Sequence, residues 1–183
     1  MFVVEDALES VRALAASASP FETGGLLVGV TTADSVWIAG FVELHVTKRH
    51  RSRFVIPAGA THPAIDRLRD EDARLGYLGD WHSHPADVGP SSIDFSTLQD
   101  LALGSLGQRR LLGLVRRAGT TWDFELWAVN RLRRPRRADY ELTGPIPPSL
   151  AGGKVARSCA RAAASVLASS RPTDARGRPS GER

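Results

Sequence analysis

Cysteine, aromatic residues and long apolar runs are all scarce in this chain of 183 residues. Its one cysteine, Cys159, cannot form an internal disulfide, which excludes the small disulfide-rich secreted class and fits a reducing compartment. No apolar run approaches the roughly 18 residues that a membrane span needs. The first nine residues carry acidic rather than basic charge, so they do not form a secretory signal. These absences predict a cytoplasmic protein without a membrane segment.

Several catalytic signatures are missing as well. A zinc deaminase needs H-x-E and P-C-x-x-C, which the lone cysteine excludes, and the H-E-x-x-H of helical zinc peptidases is absent. Cysteine-protease chemistry would depend on Cys159, which lies in an Ala/Ser/Arg-rich segment without a nearby histidine and is more simply a small residue on a helix face. His45, His50 and His62 have no metal-ligand spacing.

Positive charge is concentrated towards the end of the chain. Residues 1–150 hold 17 Lys/Arg against 18 Asp/Glu, whereas residues 151–183 hold 7 against 2. A further cluster comprises Arg131, Arg133, Arg134, Arg136 and Arg137. Such a patch can bind nucleic acid, but no aromatic residues are interleaved with it. We therefore expect no nucleic-acid partner, and a weak contact with an acidic protein accounts for the patch equally well. A nuclease or nucleic-acid-associated protein that uses the arginine cluster is one alternative function.

The most informative stretch of the sequence is W-H-S-H-P-A-D-V-G-P-S-S-I-D, from residue 81 to residue 94. His82 and His84 end an apolar segment that reads as a strand, and side chains two apart in a strand project to the same side. Asp94 falls in the first turn of a helix that Ser91 caps. Two histidines and a carboxylate are a ligand set that a catalytic zinc takes, with the fourth position left to water. The alternative is that the histidines are exposed loop residues and Asp94 is only the acid of a capping box.

These residues resemble the signature of the JAMM/MPN+ (Mov34/MPN/PAD-1, bacterial JAB-type) zinc metalloproteases, which reads H-x-H, seven residues, S, two residues, D. Here only six residues separate His84 from Ser91. Counting seven would select Ser92 and place Phe95 at the acid position, where it could not bind a metal. We therefore place the deletion in the loop of residues 86–90, since surface loops tolerate length changes.

The upstream segment F-E-T-G-G-L-L-V-G is similar to the opening motif of the bacterial members, and the resemblance extends over about residues 1–129. It implies one zinc per chain held by His82, His84 and Asp94, with Glu22 as general base and Ser91 as oxyanion donor. Local sequence alone favours a solvated loop acid ahead of a strand at Glu22, and the resemblance reverses that interpretation.

The resemblance also implies the activity. The expected enzyme is a zinc metallopeptidase or isopeptidase that cleaves at the C-terminal tail of a ubiquitin-like or sulfur-carrier protein. The cleavage would serve processing or deconjugation, with or without an activating partner protein. A catalytically silent MPN scaffold is the alternative.

The hydrophobic pattern predicts an α/β protein. Helices are expected over residues 5–16, 63–74 and 91–103, and strands over 25–30, 35–45, 53–56, 76–81, 111–116 and 122–129. This agrees with the MPN-type, cytidine-deaminase-like single domain that the resemblance implies, a mixed curved sheet with flanking helices. We expect a catalytic domain over residues 1–130, an Arg/Pro-rich linker over 131–150, and a basic tail over 151–183 that is helical at 154–167 and disordered from 169.

Overall fold

The computed structural model describes residues 1–46, 50–104, 109–130 and 134–150. In chain order, its elements are β1 (Phe2–Val4), α1 (Glu5–Ala18), β2 (Gly24–Thr31), β3 (Val36–Glu43), α2 (Thr61–Glu71), β4 (Gly76–His84), α3 (Ser92–Gly104), β5 (Arg110–Ala118), β6 (Thr121–Val129), β7 (Arg136–Arg137), β8 (Glu141–Thr143) and a 3-10 turn (Pro148–Leu150). None of these helices is long and apolar enough to cross a membrane.

The strands form a single mixed sheet in the order β7-β6-β5-β4-β2-β3-β1-β8. β4 and β5 are parallel and are joined by α3 as a crossover helix. β2 pairs antiparallel with both β3 and β4, which places the beginning of β2 beside the end of β4. The segment before β2 and the end of β4 therefore lie at one edge of the sheet.

Helices cover the sheet and create two apolar clusters. The larger contains the inward stripe of α1, including Leu8 and Val11, and the buried residues of β2, β3 and β4. In the smaller, Leu98 and Ala102 of α3 pack against Leu112 of β5 and Val129 of β6. The second cluster fixes α3 across the sheet, and with it the residues that begin the helix.

Most of the predicted elements are confirmed, including α1, α3 and the antiparallel pair of β5 and β6. The strand predicted over residues 53–56 is wrong. That segment pairs with no strand among the described residues, and its side chains instead line a cavity. An apolar, β-branched run predicted a strand here, but a strand also requires a partner edge, which the sequence does not reveal.

The description of residues 134–150 as a linker also needs correction, because this part of the chain continues the fold. β7 pairs with β6, β8 pairs in parallel with β1, and Ile146 is 7% exposed within the larger cluster. The Pro- and Arg-rich composition of this region obscured two short strands, of which β8 pairs with the distant strand β1. The predictions for residues 151–183, which include Cys159, and for Arg131 and Arg133 lie outside the described residues.

Candidate metal centre

The two histidines lie at the end of β4, which the structure extends to His84. His82 pairs with Gly24 of β2 and with Leu114 of β5, so its backbone is held on both sides. His82 and His84 are 8% and 7% exposed. Their Nε2 atoms are 3.1 Å apart. The alternative that the two histidines are exposed loop residues is therefore excluded. Their side chains converge, as those of alternate residues in one strand do.

A backbone carbonyl orients His84. Its Nδ1 lies 3.1 Å from the carbonyl oxygen of Val88, in the loop that follows β4. A carbonyl only accepts, so Nδ1 carries the hydrogen and donates it, which leaves Nε2 as the free lone pair. Metal-binding histidines are commonly oriented by such an outer hydrogen bond. The shortened loop thus keeps a contact that presents His84 correctly.

Asp94 and Ser91 form a reciprocal capping box at the beginning of α3. The N–H of Ser91 donates to Asp94 Oδ2 at 2.6 Å, and the N–H of Asp94 donates to Ser91 Oγ at 3.2 Å. The same carboxylate faces the histidines, with Oδ1 at 3.4 Å from His82 Nε2 and Oδ2 at 3.8 Å from His84 Nε2. The two interpretations of Asp94, as a cap or as a ligand, are therefore compatible in one side chain.

The three side chains fit a tetrahedral metal ion. One ligand atom from each of His82, His84 and Asp94 lies within 4.8 Å of the others. Zinc takes nitrogen and oxygen ligands at about 2.0–2.2 Å, so ligand atoms around a tetrahedral ion are about 3.3–3.5 Å apart. The two Nε2 atoms are 3.1 Å apart, and one oxygen of Asp94 lies 3.4 Å from His82 while its other oxygen lies 3.8 Å from His84, so each separation is close to that value. Donor type and spacing both suit a metal ion such as zinc.

Glu22 lies beside this group, just before β2. It is 6% exposed, and its Oε1 is 3.9 Å from His84 Nε2. The next residue, Thr23, donates its N–H to Ser83 Oγ at 3.0 Å, while the N–H of Ser83 donates to the Thr23 carbonyl at 2.7 Å. These two bonds tie the Glu22 segment to β4 between the two histidines. Because Glu22 is buried, the alternative that it is a solvated loop acid is excluded.

Gly24 allows the close approach that this arrangement needs. A Cβ at this position would lie 2.5 Å from the carbonyl oxygen of Trp81 and 2.6 Å from the ring of Phe54. Glycine at this position therefore permits a close backbone approach between β2 and β4.

Burial and neighbouring charges set the protonation of the group. Burial raises the pKa of Glu22 to about 7, against the lowering effect of His82 and with a smaller contribution from Asp94. Burial also acts to raise the pKa of Asp94, but the hydrogen bond and charge of His82 and the bonds from Ser91 outweigh it, so this pKa lies well below its usual range. Burial, and then the charge of His82, lowers the pKa of His84. Ionised Asp94 and neutral His84 are the forms that a metal requires.

A cavity of about 490 Å³ opens beside the group, a volume typical of ligand sites. One wall is the segment of residues 52–56, and the other comes from α3 and β5. The floor includes Asp80 and Tyr77, whose hydroxyl donates to Asp80 Oδ1 at 2.6 Å. Burial raises the pKa of Asp80 to about 6, against the lowering effect of the Tyr77 hydrogen bond. The metal-binding group therefore lies at one end of a cavity with a second carboxylate.

All five residues predicted for the site line this one cavity: Glu22, His82, His84, Ser91 and Asp94. Sequence reasoning missed Ser83, the Val88 carbonyl and Asp80. Ser83 was discoverable in principle, since it alternates with the two histidines and so faces the opposite side of β4. The described arginines of the basic cluster, Arg134, Arg136 and Arg137, line a different hollow of about 390 Å³ with Arg109.

Comparison with known proteins agrees with this geometry. The model of the family described as prokaryotic homologs of the JAB domain matches residues 4–134. The chain belongs to this family. The resemblance to JAMM/MPN proteins is thus confirmed, and with it the MPN-type α/β fold. A search of curated proteins found no match.

Proteins of known structure share the fold. A protein from Desulfitobacterium hafniense matches with a TM-score of 0.64 at 16% identity, over 81% of this chain and 97% of its own. A protein from Salinibacter ruber matches with a TM-score of 0.51 at 24% identity, over 86% and 97%. A JAB1/MPN domain protein from Archaeoglobus fulgidus matches with a TM-score of 0.45 at 19% identity, over 78% and 97%.

Proposed function

We propose that this JAB-family protein is a zinc-dependent metallopeptidase or isopeptidase. Its substrate is the C-terminal tail of a ubiquitin-like or sulfur-carrier protein, at which it hydrolyses a peptide or isopeptide bond. Membership of a family that includes metallopeptidases supports the reaction class. The observation that carries the proposal is the position of Glu22, a buried carboxylate that lies beside the His82, His84 and Asp94 group.

His82, His84 and Asp94 would hold the metal through two Nε2 atoms and a carboxylate oxygen, one ion per chain. When bound, zinc lowers the pKa of a coordinated water to about 7 and polarises a carbonyl oxygen. Side chains of the protein would carry out the proton transfer and stabilise the charge on the substrate.

Glu22 is positioned to handle the protons of the reaction. Its carboxylate is shielded from solvent, and its segment is held in place by the two hydrogen bonds between Thr23 and Ser83. A general base must lie within hydrogen-bond reach of the proton it removes, directly or through one water. Glu22 would accept a proton from the attacking water and return it to the leaving amine. No covalent enzyme intermediate is then required.

Ser91 is positioned to stabilise charge on the substrate. Its Oγ accepts the N–H of Asp94, and the residue is exposed at the mouth of the cavity. Its hydroxyl hydrogen can therefore be donated to an oxyanion that forms beside the ligands. A single donor of this kind contributes about 3–4 kcal/mol of transition-state stabilisation in other hydrolases.

An extended tail suits the shape of the cavity. The segment of residues 52–56 has no strand partner among the described residues and flanks the metal-binding group along one side. A partly apolar cavity bordered by an unpaired extended segment can accommodate an extended chain. This favours a flexible C-terminal tail as the substrate.

The test combines metal content with cleavage. We expect about one zinc per chain in the wild type and in Glu22→Gln, and loss of zinc in His82→Ala. His62→Ala is the matched control because this histidine is exposed and lies outside the group. Ubiquitin-like and sulfur-carrier proteins with C-terminal extensions should be cleaved by the wild type and by His62→Ala only.

The outcomes separate the alternatives. A wild type that takes up no zinc after reloading would refute the hydrolase and favour the MPN scaffold. Zinc binding without cleavage of any tail, also in the presence of candidate partners, would refute the substrate class and leave the metal site standing.

A further inference from the structure

One partly buried carboxylate that lines the cavity, Asp80, has no role in the proposed hydrolysis. Asp80 lies on β4 two residues before His82, on the same side of the strand. Two residues of a strand span about 6.7 Å. The distance along β4 from His82 to Asp80 therefore equals about two residues of an extended substrate peptide.

The carboxylate of Asp80 is fixed in direction. Tyr77 donates its hydroxyl to Oδ1, and Tyr77 is itself held by Arg110, whose guanidinium lies 5.1 Å from the ring centre and donates to the Tyr77 carbonyl at 3.2 Å. Among the residues that the structure describes, no group donates a hydrogen bond to Oδ2 of Asp80. This oxygen is also not completely shielded from solvent. This oxygen is thus presented to the cavity.

The cavity that Asp80 lines is partly apolar, with Ser52, Arg53, Thr61 and Thr97 as further polar lining residues. Leu98, Leu101 and Leu112 form one side, and Val55 and Ile93 stand at the cavity with 55% and 68% of their surfaces exposed. A long side chain with a methylene stem and a cationic head packs its stem on such walls and keeps its head for a polar partner. The carboxylate of Asp80 is partly buried and has one oxygen without a hydrogen bond, so a further cationic partner would stabilise it in addition to the nearby charge of Arg110.

We propose that Asp80 forms a subsite for a cationic side chain, arginine or lysine, within about two residues of the scissile bond of the substrate. The assignment of the ligand as a substrate residue rests on the proposed function. The guanidinium of arginine is the better match because its planar fork can bond a carboxylate through two N–H groups.

The experiment measures this pocket without relying on catalysis. Butylguanidinium and butylurea, which differ mainly in charge, are titrated into the full-length protein while backbone amide NMR signals of β4 are followed. We expect saturable shifts around Asp80 with butylguanidinium, and binding at least about tenfold weaker for butylurea and for Asp80→Asn. Tyr77→Phe, which keeps the carboxylate, should retain the preference for the cation.

Equal binding of the two probes, unchanged binding by Asp80→Asn, or no saturable shift in β4 would each overturn the subsite. A cleavage assay then separates this proposal from the proposed function. If tails are cleaved but replacing their basic residues leaves KM unchanged, the subsite is wrong and the peptidase stands. If butylguanidinium binds at Asp80 but no tail is cleaved, the proposed substrate class is wrong and the cation site stands.

Discussion

Replacing Ser83 by alanine tests how Glu22 is held. Ser83 is fully buried, and its Oγ accepts the N–H of Thr23 at 3.0 Å. Alanine removes only this acceptor, because the bond from the Ser83 N–H to the Thr23 carbonyl involves the backbone alone. The substitution therefore cuts one of the two ties between β4 and the segment that carries Glu22.

The expected loss follows from the unpaired donor. A buried N–H left without an acceptor costs about 1–3 kcal/mol, and relief from burying the serine hydroxyl offsets a part of that. We expect Ser83→Ala to lower the free energy of unfolding by about 2 kcal/mol. For a protein of this size, that corresponds to a fall in Tm of about 4–8 °C.

The assay is chemical denaturation combined with hydrogen exchange at the Thr23 amide. Ser10→Ala is the matched control, since that hydroxyl makes an exposed bond within α1 to the carbonyl of Asp6, and its loss should change stability by less than about 0.5 kcal/mol. In Ser83→Ala, the Thr23 amide should exchange faster and zinc binding should persist. Stability within 0.5 kcal/mol of the wild type, with the Thr23 amide still protected, would refute this account.

Three further predictions concern the same edge of the sheet. Because the pKa of Glu22 rises from 4.5 to about 7 on folding, its contribution to stability is complete below about pH 4.5 and is lost as pH rises through 7. Metal-free wild type should therefore lose up to about 3 kcal/mol relative to Glu22→Gln between pH 4.5 and 7, and a difference independent of pH would contradict this. Gly24→Ala should cost about 1–3 kcal/mol in denaturation, since its Cβ would meet the Trp81 carbonyl; Gly144→Ala, with open space around it, is the control and should change little. Asp94→Asn should keep the capping bond but weaken zinc binding at least about 100-fold by competition with a chelator, because even outer-shell changes cost 10–100-fold; unchanged affinity would remove Asp94 from the ligand set.

The local patterns were sufficient to predict much of the site. The alternation of His82 and His84 and the capping spacing of Ser91 and Asp94 predicted a strand end that faces a helix start, and the structure confirms both. These features depend only on neighbours within a few residues, whose geometry is fixed by strand and helix periodicity. Sequence could not decide whether Asp94 was a cap or a ligand, because that depends on where α3 packs.

The long-range contacts had to come from the fold. Glu22 lies 60 residues before His82 in sequence, and only the antiparallel pairing of β2 with β4 brings it to the metal-binding group. The pairing of residues 141–143 with β1 was missed for the same reason, since a three-residue strand carries almost no local signal.

By itself, then, the sequence determined which residue types were available, their spacing within each element, and the family to which the chain belongs. The tertiary structure decided which of them meet. Burial of Glu22, the orientation of His84 by the Val88 carbonyl, and the placing of Asp80 beside the ligands all arise where separate elements pack. Desolvation and hydrogen-bond direction are properties of that packing, so no reading of one segment at a time could have supplied them.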